Sequence, residues 1–313
     1  MSGKANGRVA PATAERIRDV AHSLGYQPNA AARALRSGTS SLLGLAVLDA
    51  SHPFYGLVLA AADDAARDLG LSLSMIQTRG PEPVWEQRLA DGLSSGYLAG
   101  GIIFGERLTP DSPLRTWAEQ LVFVEVPEPG LRAILLDTAT AMTDVVDHLA
   151  GLGHHEIAYF AADYPSAVFA RRQRHCAEAA RRRGTRLRTA RTWRATFDVE
   201  TATTAARHLL DAGVQAVVCD DDLLALALHR VAVDRGLTPG DDVSIVGFGD
   251  LDMARLVHPQ LTTVRLAADE IARAALTSLT RSTPSTPSTP STLTIGAPLI
   301  VRGSTGPYLA QFA

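Results

Sequence analysis

LLGLAVLD, at residues 42–49, is the stretch that decides the fold. It is a continuous apolar run that ends in an aspartate. A strand with one solvated face alternates apolar and polar residues, whereas a run of this kind is typical of a strand buried on both faces. The stretch therefore predicts a parallel sheet that is covered by helices on both sides.

The alternation of strands and helices continues beyond this run. Helices are expected near residues 55–69, 85–93 and 114–120, and the intervening strands are LSLSMIQ, GGIIFG and LVFVEV. This βαβαβαβ order is the pattern of a doubly wound sheet with right-handed crossovers.

The same pattern then begins again. Helices are expected at residues 140–151, 167–183, 200–212 and 223–235, and strands at EIAYFAA, near 186–192, at AVVCD and at VSIVGFG. Two consecutive α/β units predict two lobes with a cleft between them, in which ligands bind at the carboxyl ends of the strands. After the low-complexity segment STPSTPSTPST, LTIGAPLIVRGSTG predicts two further short elements.

The first 38 residues differ in character from the two units. PATAERIRDVAHSL, at residues 11–24, predicts a helix, and a second short helix is expected at about 30–35 with Asn29 as its N-cap. Residues 1–36 contain six basic and two acidic side chains, a net charge of +4 in a chain whose total is −3. A basic head on an acidic body fits contact with an anionic polymer, although chance can produce such an excess in a short segment.

The sequence does not support an enzyme. The first strand is not followed by GxGxxG, the GxG at residues 247–249 stands alone, and neither a P-loop nor GxSxG occurs. The two cysteines, the Asp220–Asp222 run and the His154-His155 pair lack the spacing of a metal site. We therefore expect no catalytic centre, metal or cofactor. Because no signal peptide or 18-residue apolar run occurs, we expect a cytoplasmic protein without membrane contact.

The predicted cleft has side chains suited to a polar small molecule. A sugar ring has apolar faces and a rim of hydroxyls, so its site needs aromatic surfaces and a few charged or amide groups. The candidates at strand ends and loops are Phe54, Tyr55, Arg172, Phe197, Asp221 and Asp250.

Seven segments in order resemble the LacI/GalR family of transcription regulators. They are RIRDVAHSLGYQPNAAARALRSG, LLGLAVLDASHPFY, LLDTATAMTDVVDHLAGLGHHEIAYF, RRQRHCAEA, AVVCDDDLLALAL, DDVSIVGFGDLDMARLVHPQLTTVR and PLIVRGSTG. The resemblance implies an α/β core of two doubly wound lobes, like periplasmic binding proteins of type I. It also implies a homodimer, a helix-turn-helix head, a hinge helix and a small effector in the cleft that alters operator affinity.

The resemblance also assigns residues and domains. Five of the six cleft candidates, Phe54, Tyr55, Arg172, Phe197 and Asp221, stand where the family contacts its effector, and Asp250 would have to replace the family's aspartate that is Gly249 here. Leu35 stands where a hinge leucine wedges into the minor groove. The implied hinge contacts to DNA are Asn29, Ala32, Arg33 and Leu35. The implied domains are a head at 1–38, a first lobe at 42–136 with 266–296, and a second lobe at 137–265 with 297–313.

Three departures from the family bear on these assignments. Asp221 replaces an amide with a carboxylate, Gly249 replaces an aspartate, and His175-Cys176 replaces Gly-Phe. In addition, the two helices that precede residue 11 in the family are not found. We expect the given sequence to begin inside the head of a repressor. The alternatives are a sugar-sensing protein without specific DNA binding and an exported sugar-binding protein.

Overall fold

The computed structural model describes residues 10–23, 40–79, 84–128, 130–280 and 292–308. Within the head it contains helix α1, Pro11–Ser23, which confirms the first predicted helix. The second predicted helix lies outside the described residues, as do the hinge contacts assigned to Asn29, Ala32, Arg33 and Leu35.

Strands and helices alternate along the first part of the core. In chain order they are β1 Leu42–Val47, α2 Pro53–Arg67, β2 Ser72–Gln77, α3 Val84–Ser94, β3 Gly100–Phe104, a 3-10 helix Pro113–Gln120, β4 Leu121–Val124 and β5 Arg132–Leu136.

The remaining elements follow the same plan. They are α4 Thr138–Gly151, β6 Glu156–Ala162, α5 Ala167–Arg183, β7 Arg186–Arg188, a 3-10 turn Arg191–Trp193, β8 Arg194–Ala195, α6 Val199–Asp211, β9 Ala216–Cys219, α7 Asp222–Asp234, β10 Ser244–Gly249, a 3-10 turn Asp252–Arg255, β11 Thr262–Arg265, α8 Ala268–Thr280, β12 Thr292–Ile295 and β13 Leu299–Ile300.

The strands form two sheets, and each defines a lobe. The first lobe has the order β12-β5-β4-β3-β1-β2, and all of its pairings are parallel. The second lobe has the order β13-β11-β10-β9-β6-β7, in which the β11–β13 pairing is antiparallel, and β8 pairs with β6. The predicted fold class of two doubly wound α/β lobes is confirmed.

Some elements differ from the sequence-based expectations. Strands β5, β8 and β11 and helix α8 were not predicted, and the helix expected at 114–120 is a 3-10 helix. Strand β5 has the sequence RAILL, which is short and follows a Pro-Glu-Pro-Gly turn, so the turn signal dominates the local pattern.

Each sheet is buried on both faces, as LLGLAVLD predicted. Leu43, Leu45 and Val47 of β1 pack with α2 and α8 on one face, and Ala46 packs with α3 on the other. In the second lobe, α6 and α7 cover one face of the sheet, and α4 and α5 cover the other. None of the described helices is long and apolar enough to cross a bilayer.

The strand order fixes where a ligand can bind. In the first sheet, strand β1 lies between β2 and β3. In the second sheet, strand β6 lies between β7 and β9. The chain reverses its winding direction at this point, which leaves a crevice beyond the carboxyl ends of the strands. The loops after β1, β3, β6 and β9 therefore surround one space between the lobes.

Helix α7 is fastened to strand β11 and to the loop after β10 through the buried carboxylate of Asp222. Its Oδ1 accepts a hydrogen bond of 2.5 Å from Thr263 Oγ1, and its Oδ2 accepts one of 2.8 Å from the amide of Leu251. Gly247 provides the space, because a Cβ atom there would lie 2.2 Å from Asp222 Oδ1 and 2.9 Å from Leu261 Cδ2.

We predict that Gly247→Ala lowers the free energy of unfolding by about 1–3 kcal/mol, because the added methyl displaces a carboxylate that is held at both oxygens. Gly151→Ala is the matched control. A Cβ atom at Gly151 meets nothing within 4 Å, and this helical site gains about 0.4–1 kcal/mol. Urea unfolding of both variants tests the difference, and equal stabilities would contradict it.

Candidate functional site: the cavity between the lobes

A cavity lies between the carboxyl edges of the two sheets. The first lobe contributes the loops after β1, β3 and β4, and the second lobe contributes the start of α5, the loop before α6 and the end of β9. The lining residues are Leu48, His52, Phe54, Tyr55, Phe104, Gly105, Glu106, Glu125, Leu136, Ser166, Val168, Phe169, Arg172, Phe197, Asp221, Leu266 and Ile271. Five of the six predicted cleft residues are therefore brought together, and Asp250 is not among them.

Aromatic rings form much of the wall on both sides. In the first lobe, Tyr55 meets Phe54 and Phe104 edge-on, with centroids 5.5 Å and 5.9 Å away. In the second lobe, Phe197 lies 4.9 Å from Tyr164 and 5.8 Å from Phe169. These rings give apolar faces to whatever the cavity encloses.

Arg172 is fixed by contacts on the second lobe. It is buried in the second turn of α5, with its guanidinium carbon 3.6 Å from the centroid of Phe248. Its Nη1 donates a hydrogen bond to the carbonyl of Asp220, and its Nε has no hydrogen-bond partner. The head group is thus held rigidly with one donor unused.

Asp221 joins the two lobes. Its Oδ1 accepts the amide hydrogen of Leu223 at 2.8 Å and caps α7, while its Oδ2 lies 3.1 Å from His52 Nε2 of the first lobe. This contact is an ion pair when the His52 ring is protonated. The carboxylate expected to contact an effector therefore also bridges the cleft.

His52 was not among the residues predicted from the sequence. Its Nδ1 accepts the amide hydrogen of Phe54 at 3.3 Å and caps α2, so the proton of the neutral ring is on Nε2, facing Asp221. Burial is the largest influence and acts to lower the pKa of His52, but the charge and hydrogen bond of Asp221, together with the charges of Asp49 and Asp222, outweigh it and the pKa lies above the ordinary 6.5. The sequence signal was its place beside Pro53, typical of an N-cap.

Glu125 was missed as well. It follows β4 with a positive φ of 71°, and its Oε1 accepts from the amide of Leu136 at 2.9 Å and from Arg171 of the second lobe at 2.8 Å. Arg171 also donates to the Glu125 carbonyl. The Oε2 atom is buried without a partner. An acidic residue within the apolar run LVFVEV was the available signal.

The unpartnered polar atoms are concentrated in this cavity. Among the described residues, four buried side-chain nitrogen or oxygen atoms lack a hydrogen-bond partner, and three belong to residues of the lining: His52 Nε2, Glu125 Oε2 and Arg172 Nε. His52 Nε2 already faces the carboxylate of Asp221 at 3.1 Å, so Glu125 Oε2 and Arg172 Nε are the two that a ligand could satisfy. Buried polar groups are almost always satisfied in proteins, so these atoms, one acceptor and one donor, indicate a place for ligand groups.

The effector role predicted for Asp250 does not agree with its placement. Arg265 donates to its Oδ2 at 2.8 Å and Arg302 donates to its Oδ1, so both oxygens have arginine partners outside the cavity. Burial acts to raise the pKa of Asp250, but these hydrogen bonds outweigh it and hold the pKa below its usual value.

The three consecutive aspartates point in different directions. Asp220 accepts from the Tyr159 hydroxyl at 2.6 Å inside the second lobe, Asp221 faces the cleft, and Asp222 faces β11. Burial raises the pKa of Asp220 to about 6 and that of Asp222 to about 7. Among the described residues, no group of three or more acidic, histidine or cysteine side chains could hold a metal ion.

Comparison with known proteins agrees with this geometry. The periplasmic binding protein-like domain family matches residues 146–305. The HTH-type transcriptional repressor CytR of Escherichia coli K12 is 27% identical over 304 residues, which cover 95% of this chain and 89% of the repressor. The chain belongs to the LacI/GalR family. The family predicted from the sequence motifs is thus confirmed.

Solved LacI/GalR structures show the same fold. The lac repressor dimer bound to operator and an anti-inducer superposes with a TM-score of 0.78 at 20% identity, covering 90% of this chain and 99% of that one. A LacI family regulator from Enterococcus faecium with bound ribose gives 0.75 at 19% identity, covering 86% and 100%. The curated relatives are transcription regulators rather than enzymes.

We predict that Asp221→Asn lowers the pKa of His52, because asparagine keeps the cap on α7 but removes the charge that stabilises the imidazolium. Titration of the His52 ring by NMR measures this, with Asp163→Asn, a surface partner of Arg194, as the control.

The same pair sets a pH dependence of stability. Because the pKa of His52 is higher in the folded chain than the ordinary 6.5, the pair stabilises the fold fully below pH 6.5 and loses this contribution as the pH rises through the folded value. An unchanged His52 pKa in Asp221→Asn would contradict the assignment.

Proposed function

We propose that this protein is an effector-responsive transcriptional repressor that binds a small molecule, a sugar, in the cavity between its lobes. The observation that carries the proposal is the cavity itself, which is lined by both lobes and includes two residues with a buried polar atom that has no partner, Glu125 Oε2 and Arg172 Nε. A ligand that pairs with Glu125 on one lobe and Arg172 on the other would be held by both.

The lining suits a sugar. Aromatic rings on both lobes can pack against the CH faces of a ring, and hydroxyl groups both donate and accept hydrogen bonds. A hydroxyl can therefore satisfy Glu125 Oε2 with its hydrogen and Arg172 Nε with its oxygen.

Contact with both lobes provides the route to regulation. A ligand shifts a conformational equilibrium only by its difference in affinity for the two states. A molecule that bridges the cleft binds the closed arrangement better than an open one, because opening the lobes breaks half of its contacts. Lobe closure would then set the distance between the two heads of a homodimer and alter operator affinity.

The DNA-binding part of the proposal rests on likeness to relatives. CytR is named as an HTH-type repressor, and the match to it covers 95% of this chain. We propose operator DNA and a second copy of this chain as partners, with no catalysis or cofactor. The domains are taken as a head at 1–38, a first lobe at 42–136 with 266–296, and a second at 137–265 with 297–313.

The test combines ligand and DNA binding. The chain is screened against neutral sugars by thermal denaturation, in which a ligand at 100 times its Kd stabilises the fold by about 2.7 kcal/mol. DNA fragments selected from a random pool are then assayed with and without the stabilising sugar. We predict that the sugar stabilises the chain and changes its affinity for one selected sequence.

Arg172→Ala should lose the stabilisation and the DNA response while it keeps its affinity for DNA without sugar. Arg188→Ala is the control, because Arg188 lies over Trp193 outside the cavity. Stabilisation by a sugar without sequence-selective DNA binding would contradict the proposal of a repressor and support a sugar-sensing protein without specific DNA binding. If Arg172→Ala keeps the thermal stabilisation by the sugar and the DNA response, the effector site does not include Arg172 and lies elsewhere.

A further inference from the structure

The charged side chains lining the cavity are predominantly acidic. Three carboxylates, Glu106, Glu125 and Asp221, face one permanently cationic group, Arg172, and the titratable ring of His52. Arg171 approaches Glu125 from behind at Oε1 and is not part of the lining. A ligand in this space would therefore meet more negative than positive charge.

Tyr55 indicates the sign of this charge within the cavity. Burial raises the pKa of its phenol, and the charges of Glu106 and Asp221 raise it further, while Arg172 acts in the opposite direction but does not cancel them. A group at the position of Tyr55 is thus disfavoured when it becomes negative.

Glu125 is the lining residue whose geometry most directly disfavours an anionic ligand group. This lining residue is buried, and its Oε2 has no donor, while Oε1 is occupied by Leu136 and Arg171. A ligand group beside Oε2 has to donate a hydrogen. A hydroxyl can do so, whereas a phosphate or carboxylate oxygen in its ionised form has no hydrogen and adds a like charge in a space of low polarity.

We propose that the effector is an uncharged polyhydroxylated molecule, and that Glu125 excludes phosphorylated and carboxylated sugars. The inference rests on the proposed function of the cavity and adds the chemical class of its ligand. Glu125 acts as the specificity-determining residue through an acceptor that neutral hydroxyls satisfy and anions do not. Specificity of this kind comes from a contact that is unfavourable to the wrong ligand.

The experiment compares matched pairs of ligands on the full chain by calorimetry. The probes are D-glucose and D-glucose 6-phosphate, D-ribose and D-ribose 5-phosphate, and D-galactose and D-galacturonate. In at least one pair the neutral member should bind, and its anionic counterpart should bind at least about tenfold more weakly, equivalent to 1.4 kcal/mol.

Glu125→Gln tests the residue. The glutamine oxygen can take the position of Oε1 and keep the contacts with Leu136 and Arg171. The glutamine NH₂ group then takes the position of Oε2. The ratio of anionic to neutral Kd should fall by about tenfold or more. Glu106→Gln, which removes another lining carboxylate, should lower the same ratio and serves if Glu125→Gln does not fold.

Glu86→Gln is the matched control. Glu86 is a buried carboxylate of the same lobe that accepts from the amide and hydroxyl of Thr109 at 2.9 Å and 3.0 Å, and it does not line the cavity. Its variant should retain the wild-type ratio.

The outcomes separate the two proposals. An anionic probe that binds as tightly as its neutral counterpart, or an unchanged ratio in a folded Glu125→Gln, would overturn the inference and leave the effector site in place. If Glu125→Gln does not fold, an unchanged ratio in Glu106→Gln would overturn it instead. Failure of all six probes to bind would overturn the proposed sugar-sensing function and the inference with it.

Discussion

Two ion pairs join the two lobes across the cleft. His52 of the first lobe faces Asp221 of the second at 3.1 Å, and Arg171 of the second lobe contacts Glu125 of the first at 2.8 Å. Each lobe thus supplies one acid and one base. Because all four residues lie near the carboxyl ends of strands, the pairs hold those edges of the sheets together and enclose the cavity.

The pairs also connect the cleft to the backbone of each lobe. His52 caps α2 and Asp221 caps α7. A movement of either side chain at the cleft therefore alters the hydrogen bonding of the first turn of a helix in its lobe. Buried charges are costly unless they are paired, and removal of one partner leaves the other uncompensated. The unpartnered Glu125 Oε2 and Arg172 Nε add a further cost that a ligand with hydroxyl groups can offset. The same groups therefore hold the lobes and favour a bound ligand.

The sequence predicted the fold better than it predicted the site. Apolar runs such as LLGLAVLD indicate strands that are buried on both faces, so both sheets were predicted. Strand β5 was not predicted because it is short and follows a turn. Phe54, Tyr55, Arg172, Phe197 and Asp221 were found because they follow strands or begin helices, and strand ends meet at one edge. That rule places residues near the cavity but does not reveal their partners.

Partners distant in the sequence account for the remaining differences. Asp250 has the right position after β10, but Arg265 and Arg302 occupy its oxygens. His52 and Glu125 gain their roles from residues 169 and 46 positions away, on the opposite lobe. No local pattern contains such pairings, because they arise only when two separately folded sheets face each other.

The most direct test of this account measures the distance between the lobes. Spin labels on Tyr97→Cys in the first lobe and Val233→Cys in the second report it, since both side chains are exposed and the native Cys176 and Cys219 are buried. The account predicts that replacing His52 and Arg171 together by glutamine shifts the distance distribution or broadens it relative to the otherwise unchanged chain. An identical distribution in both proteins would contradict the claim that these ion pairs hold the cleft.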